Sequence, residues 1–405
     1  MPLRIIQEPD QLRSRPDVVV IGSGIVGLAT AFFASREGLR VLIIEAMRSP
    51  TSLTSRRSGE GVRAQWELPH NIAIAQESIA LYKHFGELVG DPANDAGYRP
   101  IGYLYASREP HAAAALKARV ERQAKVGLEG IEYLEGAALH DKAPLLAPDV
   151  IGASFRRGDG VISIDRIIAG YKSTMDADLV LDTIVHAIKP DAGGVIIESS
   201  RGSISAGAVV VAAGAKSIGL FNGFAYAPVM KTAKSSIMRV KAEGIPADHP
   251  TTIDVDIGSF WRPDEGGARI TASFSGTLFV EDGVDDPAPE PGYLNHAMAT
   301  VMPMTPRWKH WSENLLDSHL RTGTFAVSED GAPVIGPLPD APNVYVNGGY
   351  GGHGVMMSPG GGRRLSKMLA DGRHDPADLF SVERFHDGRK LVPEAMTIHL
   401  TDHPN

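Results

Sequence analysis

Gly22, Gly24 and Gly27 stand at the spacing G-x-G-x-x-G, with Ser23, Ile25 and Val26 between them. That spacing offers a grip on a pyrophosphate. The first glycine makes a tight turn, the second admits the phosphates to the backbone, and the third lets a helix pack close to a sheet. Glu45 follows 18 residues beyond Gly27, where an acceptor for a ribose hydroxyl is wanted. A second set is TSRRSGEGVR, residues 54–63, in which Arg56, Arg57 and Arg63 alternate with Ser55, Ser58, Gly59 and Gly61. An arginine fork holds a carboxylate, and small residues bring backbone N–H groups to a ligand; a solvated basic loop is the plainer alternative. A third is residues 348–354, five glycines around Tyr350 and His353. There the imidazole is either a functional group or a satisfied structural one.

Each set needs elements to aim it. Residues 17–46, DVVVIGSGIVGLATAFFASREGLRVLIIEA, read as strand, turn, helix and strand. Both strands are continuous apolar runs rich in β-branched residues, as expected for strands covered on both faces. The helix ends near Gly38, a left-handed cap, and its N-terminus presents free N–H groups to phosphates. A glycine-rich turn in an ordinary α/β sheet is the alternative. Arg4, Arg13 and Arg15 ahead of the run imitate a secretory leader, but Asp17 and the three glycines argue against one.

The rest of the chain follows in order. Residues 1–16 read as an irregular lead-in. Asn71 caps a helix running to about Val89, with Gly90 as its stop. IGYLYAS alternates as a half-buried strand. A helix spans about 110–126, and IEYLEG with residues 151–155 marks an excursion into a second domain. A further helix covers 165–175, and short strands 184–188 and 195–198. VVVAAGAKS places a buried strand at 209–211, before the small residues Ala213 and Gly214. Residues 227–325 change character: SSIMRV, GSFWRP and GARITASF read as antiparallel strands, with a helix around 291–302. Trp308 and Trp311 read as packing. A strand at 343–347 precedes the glycine loop, and a helix opens at Ser358 and Pro359 and ends at Gly372. Glycines 360–362 cost that helix about 1 kcal/mol each against alanine, which is tolerable where something lies against the backbone.

The composition, 43% apolar and 22% charged, is that of an ordinary globular chain. A net charge of −8 leaves no basic footprint for nucleic acid. There is no run of about 20 apolar residues to span a membrane. The absence of cysteine excludes disulfides, thiolate metal sites and any flavin attached through sulfur, and it agrees with a cytoplasmic setting. No metal site is expected.

Three separated pieces, DVVVIGSGIVGLATAFFASREGLRVLIIE, VVVAAGAKS and DGAPVIG…VNGGYGGHGVMMSPGGGRRL, together resemble the FAD-dependent amine and amino-acid oxidoreductases of the D-amino-acid oxidase superfamily. SGEGVRAQW and GGHGVMMSPGGGR look most like the branch of sarcosine oxidase, dimethylglycine dehydrogenase and the L-proline dehydrogenase β-subunit. The resemblance implies an α/β fold, α+β overall: a Rossmann-like FAD-binding domain split in sequence, and a substrate domain with a mainly antiparallel sheet. Residues 1–90, 150–222 and 326–405 fall to the first, and 91–149 and 223–325 to the second. Gly22 to Gly27 would hold the pyrophosphate and Glu45, with Ala46, the ribose. Thr54, Ser55, Arg56, Gly59, Gly61 and Val62 would line the phosphates and flavin edge. Val185 would meet the adenine, and Ala213 and Gly214 the adenosine part. Gly349, Gly351, Gly352, His353, Gly354, Val355 and Met356 would wrap the pyrimidine end. The implied reaction moves a hydride from a C–H beside nitrogen to the flavin, giving an imine that water hydrolyses.

Two carboxylate anchors familiar in the family are replaced here, by Phe325 and Met356. Arg63 becomes the leading candidate for that role, with Arg262 and Arg321 behind it and with His353 and Tyr350 as neighbours in the site. The histidine that tethers a second flavin in some relatives corresponds to Ile164, so FAD is expected to be noncovalent. Oxygen, a quinone or a partner subunit would take the electrons, and a homo- or hetero-oligomer is compatible with the sequence. A 2-hydroxy-acid or glycerol-phosphate dehydrogenase, or a flavin-binding assembly protein without turnover, are the alternatives.

Overall fold

The structure is a computed structural model that describes residues 2–7, 14–272, 279–284 and 287–397. Arg13 and the end of GARITASF lie outside the described residues.

Two large sheets organise the chain. The first has seven strands in the order Arg4–Ile6, Ala177–Val180, Val41–Ile44, Val18–Ile21, Ala208–Val211, Ala341–Gly348 and Val334–Leu338. All neighbours are parallel except the last pair. Alternate residues of its central strands feed two different cores. Val18, Val20, Ile43 and Val210 pack with the helices Ile25–Arg36, Pro69–Lys83 and Ile164–Thr174. Val19, Ile21, Leu42, Ile44, Val209 and Val211 pack against the three-stranded antiparallel sheet 185–206. Such strands must be apolar at every position, as these are. The chain proceeds to one side of Val18–Ile21 with Val41–Ile44 and reaches the other side only with Ala208–Val211. This is the reversal of strand order at which α/β sheets open a crevice.

The second sheet has eight strands, from Asp317–Ser328 through Met230–Lys241, Gly267–Ala272, Ser259–Asp264, Thr251–Asp254, Tyr103–Ser107 and Gly152–Arg156 to Ile131–Glu135. It is antiparallel except where Thr251–Asp254 meets Tyr103–Ser107. Trp261, Trp308 and Trp311 pack edge to face beneath it, so these indoles belong to the core, as the sequence suggests for Trp308 and Trp311.

Several elements depart from the sequence reading. Arg4–Ile6 is no lead-in but an edge strand beside Ala177–Val180, fixed by the Arg4–Asp178 ion pair. The helix expected from Asn71 to Val89 begins at Pro69 and breaks at His84, where φ/ψ of −108°/31° separates Pro69–Lys83 from Phe85–Val89. Tyr103–Ser107 is buried on both faces because a helix, Pro110–Lys125, covers the side that alternation would leave wet. Gly152–Arg156, beyond the expected boundary at 150, pairs in the eight-stranded sheet.

Candidate active site

The glycine turn sits at the crevice. Gly22 has φ +102°, and a side chain there would come within 2.7 Å of the Ala212 carbonyl at the end of the neighbouring strand. A methyl group on Gly27 would overlap the Gly22 carbonyl. Gly24 precedes the helix without a side-chain cap, and no acid lies in the first turn. Among the described residues Ser55 Oγ reaches in, accepting from the Ile25 N–H at 3.0 Å. The turn is therefore a backbone cradle at a positive helix end, and it fits a dinucleotide phosphate. Glu45, at the end of the next strand, accepts from the Ser23 N–H (2.7 Å), the Ser23 hydroxyl (2.6 Å) and the Met47 N–H (2.9 Å). Ala46, next in the chain, is half-buried.

Loop 54–63 runs from this cradle to the second sheet. Thr54 Oγ1 donates to the Thr324 carbonyl at 2.5 Å and Arg57 Nη1 to Thr322 at 2.8 Å, pinning the short turn Thr54–Arg57 to the long strand Asp317–Ser328. The Arg56 side chain turns outward to Asp165, away from a role on the phosphates. Gly61 and Val62 pair with Gly160–Val161, and a side chain on Gly61 would overlap the Tyr103 hydroxyl.

Arg262 is not where a substrate anchor belongs. It is fully buried, donates to the carbonyls of Gly59 (2.6 Å) and Pro263 (2.7 Å), and pairs with Glu60. Arg269 joins Glu60 and Asp264 and donates to the Ser58 carbonyl at 2.6 Å. Burial and the neighbouring Arg269 push the Arg262 pKa down to about 10. These arginines clamp residues 58–60, where Glu60 adopts φ +53°; their work is to shape the loop. Arg321 is also off the site, with Nη1 on the Arg56 carbonyl at 3.3 Å.

Arg63 is different. It is 4% exposed. It donates to the carbonyls of Gln65 (2.6 Å) and Met396 (2.7 Å), lies 3.7 Å over the Trp66 ring and approaches His353 Nε2 at 3.4 Å. Among the described residues no carboxylate pairs with it. A guanidinium only donates, so His353 Nε2 accepts and the imidazole proton sits on Nδ1, 3.1 Å from Thr397 Oγ1. Burial, and then the Arg63 charge, hold the His353 pKa well below its usual value, so the ring is neutral. The ring also stands edge-on to Trp66 at 4.6 Å.

Tyr350, expected beside His353, points away. Its hydroxyl donates to Asn347 Oδ1 at 2.6 Å, and Asn347 donates to Thr30, which closes onto the Val26 carbonyl. This buried chain ties the glycine loop to the first helix, and Tyr350 is a packing residue. Gly349, Gly351 and Gly352 all have positive φ (67°, 55° and 86°), and Gly352 is exposed near the Phe325 ring. The following helix starts at Gly354, not Ser358, with His353 as its cap and Val355 and Met356 in its first turn. Of the remaining candidates, Ala213 and Gly214 lie where Ala208–Val211 ends, beside the cradle, and Val185 opens the three-stranded sheet. Trp66, Met396 and Thr397 complete the surroundings of Arg63. VRAQW carried a hint of Trp66, whereas nothing in the C-terminal sequence marks the last two as neighbours.

A twisted, mostly parallel sheet with a glycine cradle at its switch point, joined by a loop to an antiparallel sheet, defines a dinucleotide-dependent two-sheet enzyme. The chain belongs to the FAD-dependent oxidoreductase (DAO) family, whose model matches residues 17–368. It is thus an FAD-dependent oxidoreductase. It is 24% identical over 390 residues to a glycine oxidase of Bacillus licheniformis, covering 94% of this chain and 99% of the relative. It is 25% identical to the sarcosine oxidase subunit beta of Rhodobacter capsulatus, covering 93% and 90%. Among solved structures, L-proline dehydrogenase from P. horikoshii superposes with a TM-score of 0.82 at 22% identity, covering 93% of this chain and all of that one. Among the described residues no helix is long and apolar enough to cross a membrane, and no cluster of potential metal ligands occurs.

Proposed function

We propose that the enzyme oxidises the C–N bond of a small amino acid or secondary amine that carries a carboxylate, and that Arg63 binds this carboxylate. The observation that carries the reading is Arg63 itself, a buried cation held by carbonyls, an aromatic face and a neutral imidazole. A buried charge without a counter-ion is costly, and a substrate carboxylate would supply one. The names of the relatives, glycine oxidase and sarcosine oxidase subunit beta, support the same substrate class.

Residues 22–27 would hold the FAD phosphates and Glu45 the ribose. Ala213, Gly214 and Val185 would flank the adenosine half. Loop 54–62 and residues 349–356 would flank the flavin, without a covalent link. We assign the seven-stranded sheet and its helices to the cofactor and the eight-stranded sheet to the substrate, with Gly152–Arg156 on the substrate side. Bound FAD supplies the acceptor for a hydride from the substrate carbon. Arg63 fixes that carbon's position through the carboxylate, Trp66 and His353 orient the guanidinium, and burial excludes water around it.

Arg63→Ala should raise KM for a carboxylate substrate about 10- to 150-fold, the range of one hydrogen bond to a charged group, while FAD remains bound. A panel of amines, amino acids and hydroxy acids mixed anaerobically identifies the class through loss of flavin absorbance. Unchanged KM in Arg63→Ala removes the arginine from this role.

A further inference from the structure

The C-terminal segment 393–397 lies across the Arg63 site and is fastened at two points. The first is Glu394, which is fully buried. Its carboxylate accepts from the N–H groups of Glu67 (2.9 Å) and Leu68 (3.0 Å), from Asn71 Nδ2 (3.0 Å) and from the Met396 N–H (3.0 Å). Leu68 is the cap position of helix Pro69–Lys83 and offers no side-chain acceptor, so Glu394 caps that helix from the far end of the sequence. The second fastening is at the site. The Met396 carbonyl takes the Arg63 Nη2 donor, and Thr397 Oγ1 meets His353 Nδ1. The Met396 side chain packs on the core beside Tyr103 and Tyr105.

We propose that segment 395–397 is a displaceable plug: the Met396 carbonyl occupies the arginine donor that a substrate carboxylate needs, and Glu394 is the latch that keeps it there. The inference rests on the reading of Arg63 as carboxylate anchor. Nη2 already serves Met396 and His353, so a carboxylate approaching along that edge has to displace the Met396 carbonyl, and it is the stronger partner because it brings the charge that the carbonyl lacks. The apparent affinity for a carboxylate is then its intrinsic affinity reduced by the fraction of molecules whose plug is open. Loosening the plug must tighten carboxylate binding.

Acetate is the probe, titrated into the FAD-loaded protein and followed by tryptophan fluorescence, since Trp66 stacks on Arg63. Glu394→Gln weakens the latch. Met396→Gly removes the packing of the plug but leaves the helix cap intact, so it reports even if Glu394→Gln disturbs helix Pro69–Lys83. Both variants should bind acetate at least threefold tighter than the native protein. Amide hydrogen exchange in 395–397 should accelerate at saturating acetate, while the amides of Glu67 and Leu68 stay protected in Met396→Gly. If both loosened variants bind acetate no tighter, or exchange slows on binding, the plug is refuted. If Arg63→Ala still abolishes binding in that case, the anchor stands. Native-like acetate binding in Arg63→Ala would overturn both.

Discussion

At Gly27 the backbone of the first helix lies against the Gly22 carbonyl so closely that even a methyl group has no place. Gly27→Ala must push the helix off the turn and move the N–H groups that would face the phosphates. The expected result is protein that folds but is purified with FAD content reduced severalfold, measured by absorbance after denaturation; full occupancy would show that the cradle is not the phosphate site. Glycine spacing was readable in the sequence because it reports a backbone demand that no side chain can meet. The roles of Tyr350 and Arg262 were not, because both depend on distant partners. The Tyr350 hydroxyl goes to Asn347 and from there to Thr30, and Arg262 clamps Gly59 and Glu60 some 200 residues away. A residue's type names its repertoire, and only the fold chooses from it.

The helix Gly354–Asp371 shows the same limit for an element. Its three central glycines suggest a ligand against the backbone, but each meets protein. A side chain on Gly360 would come within 2.8 Å of Ile74, one on Gly361 would overlap the Tyr350 hydroxyl, and one on Gly362 would reach the Ala29 and Thr30 backbone at 2.9 Å. The helix is wedged between Ile25–Arg36 and Pro69–Lys83, and glycine permits the approach. Pro359 looked like a first-turn proline. It lies one turn further in, where its missing N–H leaves the Val355 carbonyl without an intrahelical donor. The Tyr82 hydroxyl fills that vacancy at 2.6 Å from a fully buried position. Tyr82→Phe should therefore cost about 1–3 kcal/mol, the penalty for an orphaned buried acceptor, read as a lower denaturant midpoint at constant slope. A cost near zero would mean that the carbonyl finds another donor.

Across the whole molecule, the strands Val18–Ile21, Val41–Ile44 and Ala208–Val211 were legible because buried parallel strands are apolar at every residue, whereas their order in the sheet was not. The membership of Arg4–Ile6 was not, since three edge residues carry no such pattern. Stability at large should depend on pH through histidines buried in neutral form. His249 stacks on Trp261 at 4.6 Å, and burial pushes its pKa down to about 4; His353 is lowered by burial and Arg63. A depressed histidine pKa means that the unfolded chain binds more protons than the native one between pH 4 and 6.5. Stability is therefore complete above pH 6.5 and declines as pH falls through that window, by roughly 3 kcal/mol from His249 alone. Thermal midpoints measured from pH 7.5 to 4 should fall accordingly, and His249→Asn should flatten the slope; an unaltered slope would assign it to other groups. The reach of Glu394 back to Leu68 has a consequence for biosynthesis. During translation, helix Pro69–Lys83 emerges hundreds of residues before the side chain that finishes its leading end. A nascent chain that has not yet presented residue 394 would hold that helix unfinished and its arginine pocket open on one side, and only the arrival of segment 393–397 would close both.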